Sequence, residues 1–177
     1  MLVFNELEMS LWSFFRRYIP QETARDYLFA ALNNSARLKL IRAYLETEED
    51  ASFLTAATEA LLRFDICCEN RNFIAHAMPH ETPMTKKFSF IKRLPKEPGF
   101  LGFYDIPISD IRAAAKSMSE CEEYIIGLLA DQQLKEAGDP HAPEGLPPPP
   151  PKPRKLTLSR RPAAQANEPP QPPPSPQ

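Results

Sequence analysis

From Leu2 to Tyr18 the large apolar residues Phe4, Leu7, Leu11, Phe14, Phe15 and Tyr18 recur three or four apart, with Glu6, Glu8, Arg16 and Arg17 in other positions. That period puts the apolar side chains on one stripe and predicts an amphipathic helix. Pro20 ends it and suits the first turn of the next. From Glu22 to about Glu46, Ala24, Leu28, Ala31, Leu38, Ile41 and Leu45 continue one stripe through Asn33-Asn34-Ser35. One long helix, bent at the asparagine pair, is the expectation. The acidic run Thr47-Glu48-Glu49-Asp50 can break that helix and cap another, since carboxylates near a helix start favour its free amides. A third helix is predicted from about Asp50 to Ala77, with Leu54, Leu61 and Cys68 in one line and Ala57 and Phe64 beside them.

The period changes after Pro83. Lys86-Lys87-Phe88-Ser89-Phe90-Ile91-Lys92-Arg93 alternates loosely, Pro95, Pro98 and Gly99 punctuate, and Phe100-Leu101-Gly102-Phe103-Tyr104 follows. This pattern predicts a short β-hairpin or an ordered aromatic loop. Beyond Pro107, Ser109 or Asp110 is placed to cap a last helix carrying Ile111, Ala115, Met118, Ile125 and Leu129, which fades at Gly138-Asp139-Pro140. The expected fold class is all-α: an antiparallel bundle of four to five helices with a short β-hairpin or aromatic loop before the last helix.

Proline divides the chain into two regimes. Of 21 prolines, fifteen lie in residues 140–177. Residues 1–137 are long enough for one helical domain. Residues 138–177 are expected to form a disordered Pro-rich tail, because they have too few apolar side chains to offset the entropy of ordering. The unbroken run Pro147–Pro151 favours polyproline II. Within the tail, Pro150-x-x-Pro153-x-Lys155 fits the ligand pattern that groove-forming modules of the SH3 type take, so a partner protein for the tail is one expectation. A solvated linker accounts for the same residues.

Charge follows the same division. Residues 140–177 hold five basic side chains against Glu144 and Glu168, a balance of +3, which leaves −5 on residues 1–139 from a total of −2. An acidic domain is not the footprint of a general nucleic-acid binder, so any RNA contact has to be local. Three cysteines, Cys67 and Cys68 adjacent and Cys121 distant, do not suit a disulfide framework and point to a reducing, cytoplasmic setting. Glu6 and Glu8 with no basic lead argue against a signal peptide, and no apolar run approaches a membrane span.

Candidate chemistry concentrates at the end of the third predicted helix, in Arg71-Asn72-Phe73-Ile74-Ala75-His76. At about 100° per residue, Glu69, Asn72 and His76 share one stripe, whereas Arg71 sits roughly 140° from His76. Arg71 can join that surface through its long side chain or across a subunit contact. A structural account of the same residues has His76 satisfying a carbonyl and Arg71 pairing with Glu69 or Asp65. A metal site at His76, His80 and Glu81 is not expected, because Pro79 breaks the helix that would align them. No phosphate-cradling glycine loop or nucleophile elbow is present, and no cofactor is expected. Lys86, Lys87, Lys92 and Arg93, interleaved with Phe88 and Phe90, could hold a nucleic-acid strand by charge and stacking, or could guard a sheet edge.

Glu69-Asn70-Arg71-Asn72-Phe73-Ile74-Ala75-His76, near the end of a helix in a small all-α domain, resembles the motif of the HEPN superfamily. Its members share an Arg, usually followed by a polar residue, and a His after four to six intervening residues. Here Arg71, Asn72 and His76 match with four intervening. The resemblance implies a helical bundle that forms a homodimer and brings two motifs together at the two-fold axis. For many members it also implies metal-independent cleavage of RNA. His76 would then move protons, Arg71 would neutralise charge on the phosphorane, and Asn72 and Glu69 would orient them. The toxin branch of the family carries a Tyr two residues past the His; this chain has Met78 there. A non-catalytic dimerisation or interaction module with a partner-binding tail is the alternative.

Overall fold

The computed structural model describes residues 2–76, 78–79, 87–93, 101–157 and 159–160. The chain forms five helices, α1 (Leu2–Tyr18), α2 (Glu22–Ala31), α3 (Asn34–Leu45), α4 (Ala51–Ala75) and α5 (Ile108–Glu136). Four short strands, β1 (Met78–Pro79), β2 (Lys87–Arg93), β3 (Leu101–Pro107) and β4 (Ser159–Arg160), make one antiparallel sheet in the order β1-β2-β3-β4. The backbone divides into two compact units, one of residues 1–71 and 112–155, the other of residues 72–111 and 156–177.

The first unit is the helical bundle. The stripe of α1 supplies Leu7, Leu11, Phe14 and Phe15, which meet Leu38 and Ile41 of α3, Phe53, Leu61 and Phe64 of α4 and Ile125 and Leu128 of α5 in one buried cluster. Each such side chain contributes about 1.5–3 kcal/mol by leaving water. Asp50 lies beside Lys135, Ala60 beside Cys121 and Cys67 beside Ser117, so α4 runs antiparallel to α5. Asn34 beside Cys68 and Arg42 beside Asp65 set α3 antiparallel to α4 as well. Arg17, over the Phe53 ring at 4.6 Å, brings the end of α1 to the start of α4. Helix α4 is thus the one that opposes its neighbours.

The long helix expected over residues 22–46 is two helices, and the asparagine pair is a break. Leu32 leaves α2 in an extended conformation, and Asn33, also extended, caps α3 by accepting the Ala36 amide on its side-chain oxygen at 3.0 Å. The continuous apolar stripe concealed this, because a chain that stops and restarts in phase keeps its period; asparagine's preference for capping decides the outcome. Helix α5 begins at Ile108, directly after β3, one residue before the expected cap. It ends at Glu136, and just beyond it Gly138, at a φ of 66°, donates its amide to the Lys135 carbonyl while Asp139 donates to the Leu134 carbonyl. These paired bonds stop a helix at a left-handed residue, where glycine has no Cβ to clash.

Residues 139–157 form no helix or strand, in keeping with their proline content. Composition did not disclose that residues 146–155 run along α4. Leu146 packs on the core and Pro153 is buried. Ser159 and Arg160 of the same expected tail pair with β3, and residues 161–177 lie outside the described residues.

The second unit contains the expected hairpin. Strands β2 and β3 pair in register from Lys87 opposite Pro107 to Arg93 opposite Leu101. Phe90, 1% exposed, stacks on Tyr104 at 5.7 Å and meets Phe73 edge to face at 5.2 Å, so the end of α4 is fastened to the sheet by aromatic contact. On the opposite side of the pleat, buried Ser89 donates to Asp105 at 2.5 Å. No helix of the described residues is long and apolar enough to cross a membrane.

Candidate functional site

The final turns of α4 hold four consecutive polar residues, Glu69 to Asn72, and their environments differ. Glu69 is exposed, at 57% for its side chain, and its carboxylate forms an ion pair with Lys155 at 2.6 Å. Asn70, 2% exposed, turns inward and donates its amide to the Arg154 carbonyl at 2.8 Å. Arg71 is half-buried and Asn72 exposed. His76 follows the last helical residue, is exposed, and donates its main-chain amide to the Asn72 carbonyl at 3.2 Å, which extends the helical hydrogen bonding by one residue. Main-chain geometry thereby fixes the His76 backbone while solvent reaches the imidazole.

The helix is unbroken from Ala51 to Ala75, so Arg71 and Asn72 are helical and His76 follows the end. Arg71 closes the first compact unit and His76 lies in the second. The Glu69 carboxylate, expected to orient the other motif residues, is already engaged by Lys155.

Among the candidate strand-binding residues, Lys87, Lys92 and Arg93 are backbone positions of β2, and Lys86 lies outside the described residues. Asn72, Phe73 and His76 belong to the same compact unit as β2, held to it by the ring contact of Phe73 with Phe90. His80 and Glu81 also lie outside the described residues. Among the described residues no group of three or more His, Cys, Asp or Glu is placed to hold a metal ion.

Sequence reading missed Arg63 and Asn70. Arg63 is buried, pairs with Glu59 one turn earlier, and donates its Nε to the Pro150 carbonyl at 3.0 Å. The signal was present: two polar residues seven apart, facing the interior in a run of Phe64, Ile66, Cys67 and Cys68. Buried polar groups need partners, and here the partners are carbonyls of the proline-rich segment.

No protein-family model matches this chain, and no curated protein or solved structure is significantly similar to it.

Proposed function

We propose that the chain is a HEPN-like, metal-independent endoribonuclease that works as a homodimer in the cytoplasm. The observation that carries the reading is the exposed His76 at the end of α4, in the same compact unit as the basic strand β2 and joined to it through Phe73 and Phe90. An exposed imidazole can exchange protons with a substrate, whereas one sealed in the core could not. In this reading a ribose 2′-oxygen attacks the adjacent phosphorus and the bond from phosphorus to the 5′-oxygen breaks. The 2′-hydroxyl proton passes by way of His76 to the departing 5′-oxygen, leaving a 2′,3′-cyclic phosphate and a 5′-hydroxyl. Arg71 neutralises the charge that grows on the phosphorane, and its fixed guanidinium fork suits two phosphate oxygens. Helical arithmetic offsets Arg71 from His76 by roughly 140°, and a two-fold pair of helices would let both reach one phosphate. Asn72 orients the phosphate or the imidazole, and Lys86, Lys87, Lys92 and Arg93 hold the flanking strand. The three cysteines, buried and unbridged, support the reducing compartment.

One observation favours a second reading. The carboxylate of Glu69 is spent on Lys155, and the neighbouring Asn70 on the Arg154 carbonyl, as expected if this turn serves docking and not catalysis. In that case the chain is a non-catalytic interaction module.

Incubation of purified protein with mixed single-stranded RNA in chelator decides between them. The ribonuclease reading expects cyclic-phosphate ends, their loss by at least a hundredfold in His76→Ala and Arg71→Ala, and no cleavage of RNA carrying 2′-deoxy substitutions. Cleavage that survives both substitutions, or none from a verified dimer, overturns it.

A further inference from the structure

The face of α4 that carries Arg63 and Asn70 has the geometry of a receptor for an extended peptide. The two donors are seven residues apart, about 10.5 Å along the helix axis. The carbonyls they take, of Pro150 and Arg154, are four residues apart, about 12 Å in a polyproline II conformation. Side-chain reach covers the difference, so two donors on a rigid helix read two carbonyls of a stiff, proline-rich strand in one register. Both contacts are to main-chain oxygens. They select conformation and not side-chain identity, as recognition of a preformed polyproline II helix does. The third contact selects charge: Glu69 pairs with Lys155, one residue past the second carbonyl.

The resident segment does not exhaust the surface. Where it leaves α5, a cavity of about 330 Å³ opens between α4, α5 and the first prolines, lined by Tyr124, Glu59, Leu146, Pro147 and Pro149 among others. Tyr124 is 6% exposed and its hydroxyl has no hydrogen-bond partner among the described residues. A buried hydroxyl without a partner is costly, and a shift of the strap that covers it would let a peptide carbonyl satisfy it. Tyr124, which lines this proline-walled space, thus holds an unused donor for the carbonyl of a better-fitting proline-rich chain.

We propose that the surface formed by Arg63, Asn70, Glu69 and Tyr124 is a recognition groove for a proline-rich segment of another protein, one with a lysine or arginine next after the second carbonyl that is read. The chain's own residues 146–155 are its resident, displaceable occupant. The Pro150-x-x-Pro153-x-Lys155 pattern is therefore already bound within the molecule, and the groove opens when the strap leaves. This inference does not depend on ribonuclease activity.

The test titrates a fluorescent peptide with the sequence of residues 146–157 into the full-length chain, followed by anisotropy. A full-length variant with Pro150→Gly, Pro153→Gly and Lys155→Glu, whose strap is weakened, is expected to bind it at least tenfold more tightly than wild type. Adding Glu69→Lys to that variant lowers the affinity at least tenfold, and a peptide whose Lys155 equivalent is Glu regains it; Glu69 is exposed, so this exchange does not threaten the fold. A peptide with glycine in place of its prolines does not bind. The proposal is overturned if the weakened variant, helical by circular dichroism, binds no more tightly than wild type, or binds the glycine peptide equally well.

Discussion

The buried side-chain amide of Asn70 holds the carbonyl of Arg154, 84 positions further along the chain, at 2.8 Å. A buried residue near the end of α4 thus fixes a segment whose composition alone would leave it loose. The bond is worth about 1 kcal/mol. Asn70→Ala is expected to free the segment, so that limited trypsin digestion after Arg154 and Lys155 accelerates by roughly fivefold, the factor that such an energy implies for local opening. The helical content should stay unchanged. An unaltered cleavage rate would mean that Arg63, Glu69 and the packing of Leu146 and Pro153 hold the segment without it.

The start of α4 makes an acid-sensitive joint. Asp50 accepts the amides of Ser52 at 3.0 Å and Phe53 at 3.1 Å and the ammonium of Lys135 at 2.7 Å. Hydrogen bonding to Lys135 first, then to Phe53, lowers its carboxyl from 3.8 to about 2. A depressed carboxylate contributes stability that is present above its unfolded value and is lost as pH falls through the folded one. The joint should therefore weaken between about pH 4 and pH 2. Asp50→Asn keeps the cap and should flatten this part of the curve of stability against pH, while Asp50→Ala should cost about 1 kcal/mol at neutral pH. Urea unfolding across that range is the measurement.

Arg37 joins three helices. It donates to the Phe29 carbonyl of α2 through Nε at 2.9 Å, to Glu8 of α1 at 2.5 Å and to Asn34 of its own helix at 2.8 Å, and it lies over the Phe29 ring at 3.8 Å. Being nearly buried, it leaves a carbonyl and a carboxylate without partners when removed. Arg37→Ala is expected to cost about 3 kcal/mol. Arg37→Lys should recover little of it, because an ammonium cannot reproduce the fork or the stacking. Denaturant midpoints of the two variants, if separated by most of that energy, would contradict this account.

The thiols should be silent in the folded state. Burial, then the neighbouring Asp65, pushes Cys68 up to about 12, while the hydrogen bond between Cys67 and Cys121, with burial adding to it, raises Cys121 and lowers Cys67. Raised values keep Cys68 and Cys121 protonated at neutral pH, the thiolate being the reactive form, and Cys67, 0% exposed, is out of a reagent's reach. Near pH 8 an aromatic disulfide reagent is expected to modify none of the three cysteines until concentrated guanidinium chloride exposes them. Rapid reaction of one thiol in the native protein would place it at an accessible site.

Periodicity alone determined that this chain is helical and where most of its helices lie, because one apolar stripe per helix has to be buried whatever it meets. It located the hairpin for the same reason, through alternation about Phe88 and Phe90. It also singled out Arg71, Asn72 and His76, since such groups at a helix end are chemically conspicuous. Local pattern could not decide between a bent helix and two capped helices at Asn33, where one hydrogen bond settles the matter. Nor could it show that Arg63 and Asn70 face carbonyls more than 80 residues away, or that Glu69 is engaged by Lys155. Those pairings join parts of the chain that only the packed bundle brings together. Burial, which turns an unpaired polar group into a cost, is a property of the assembled structure and not of any stretch of sequence.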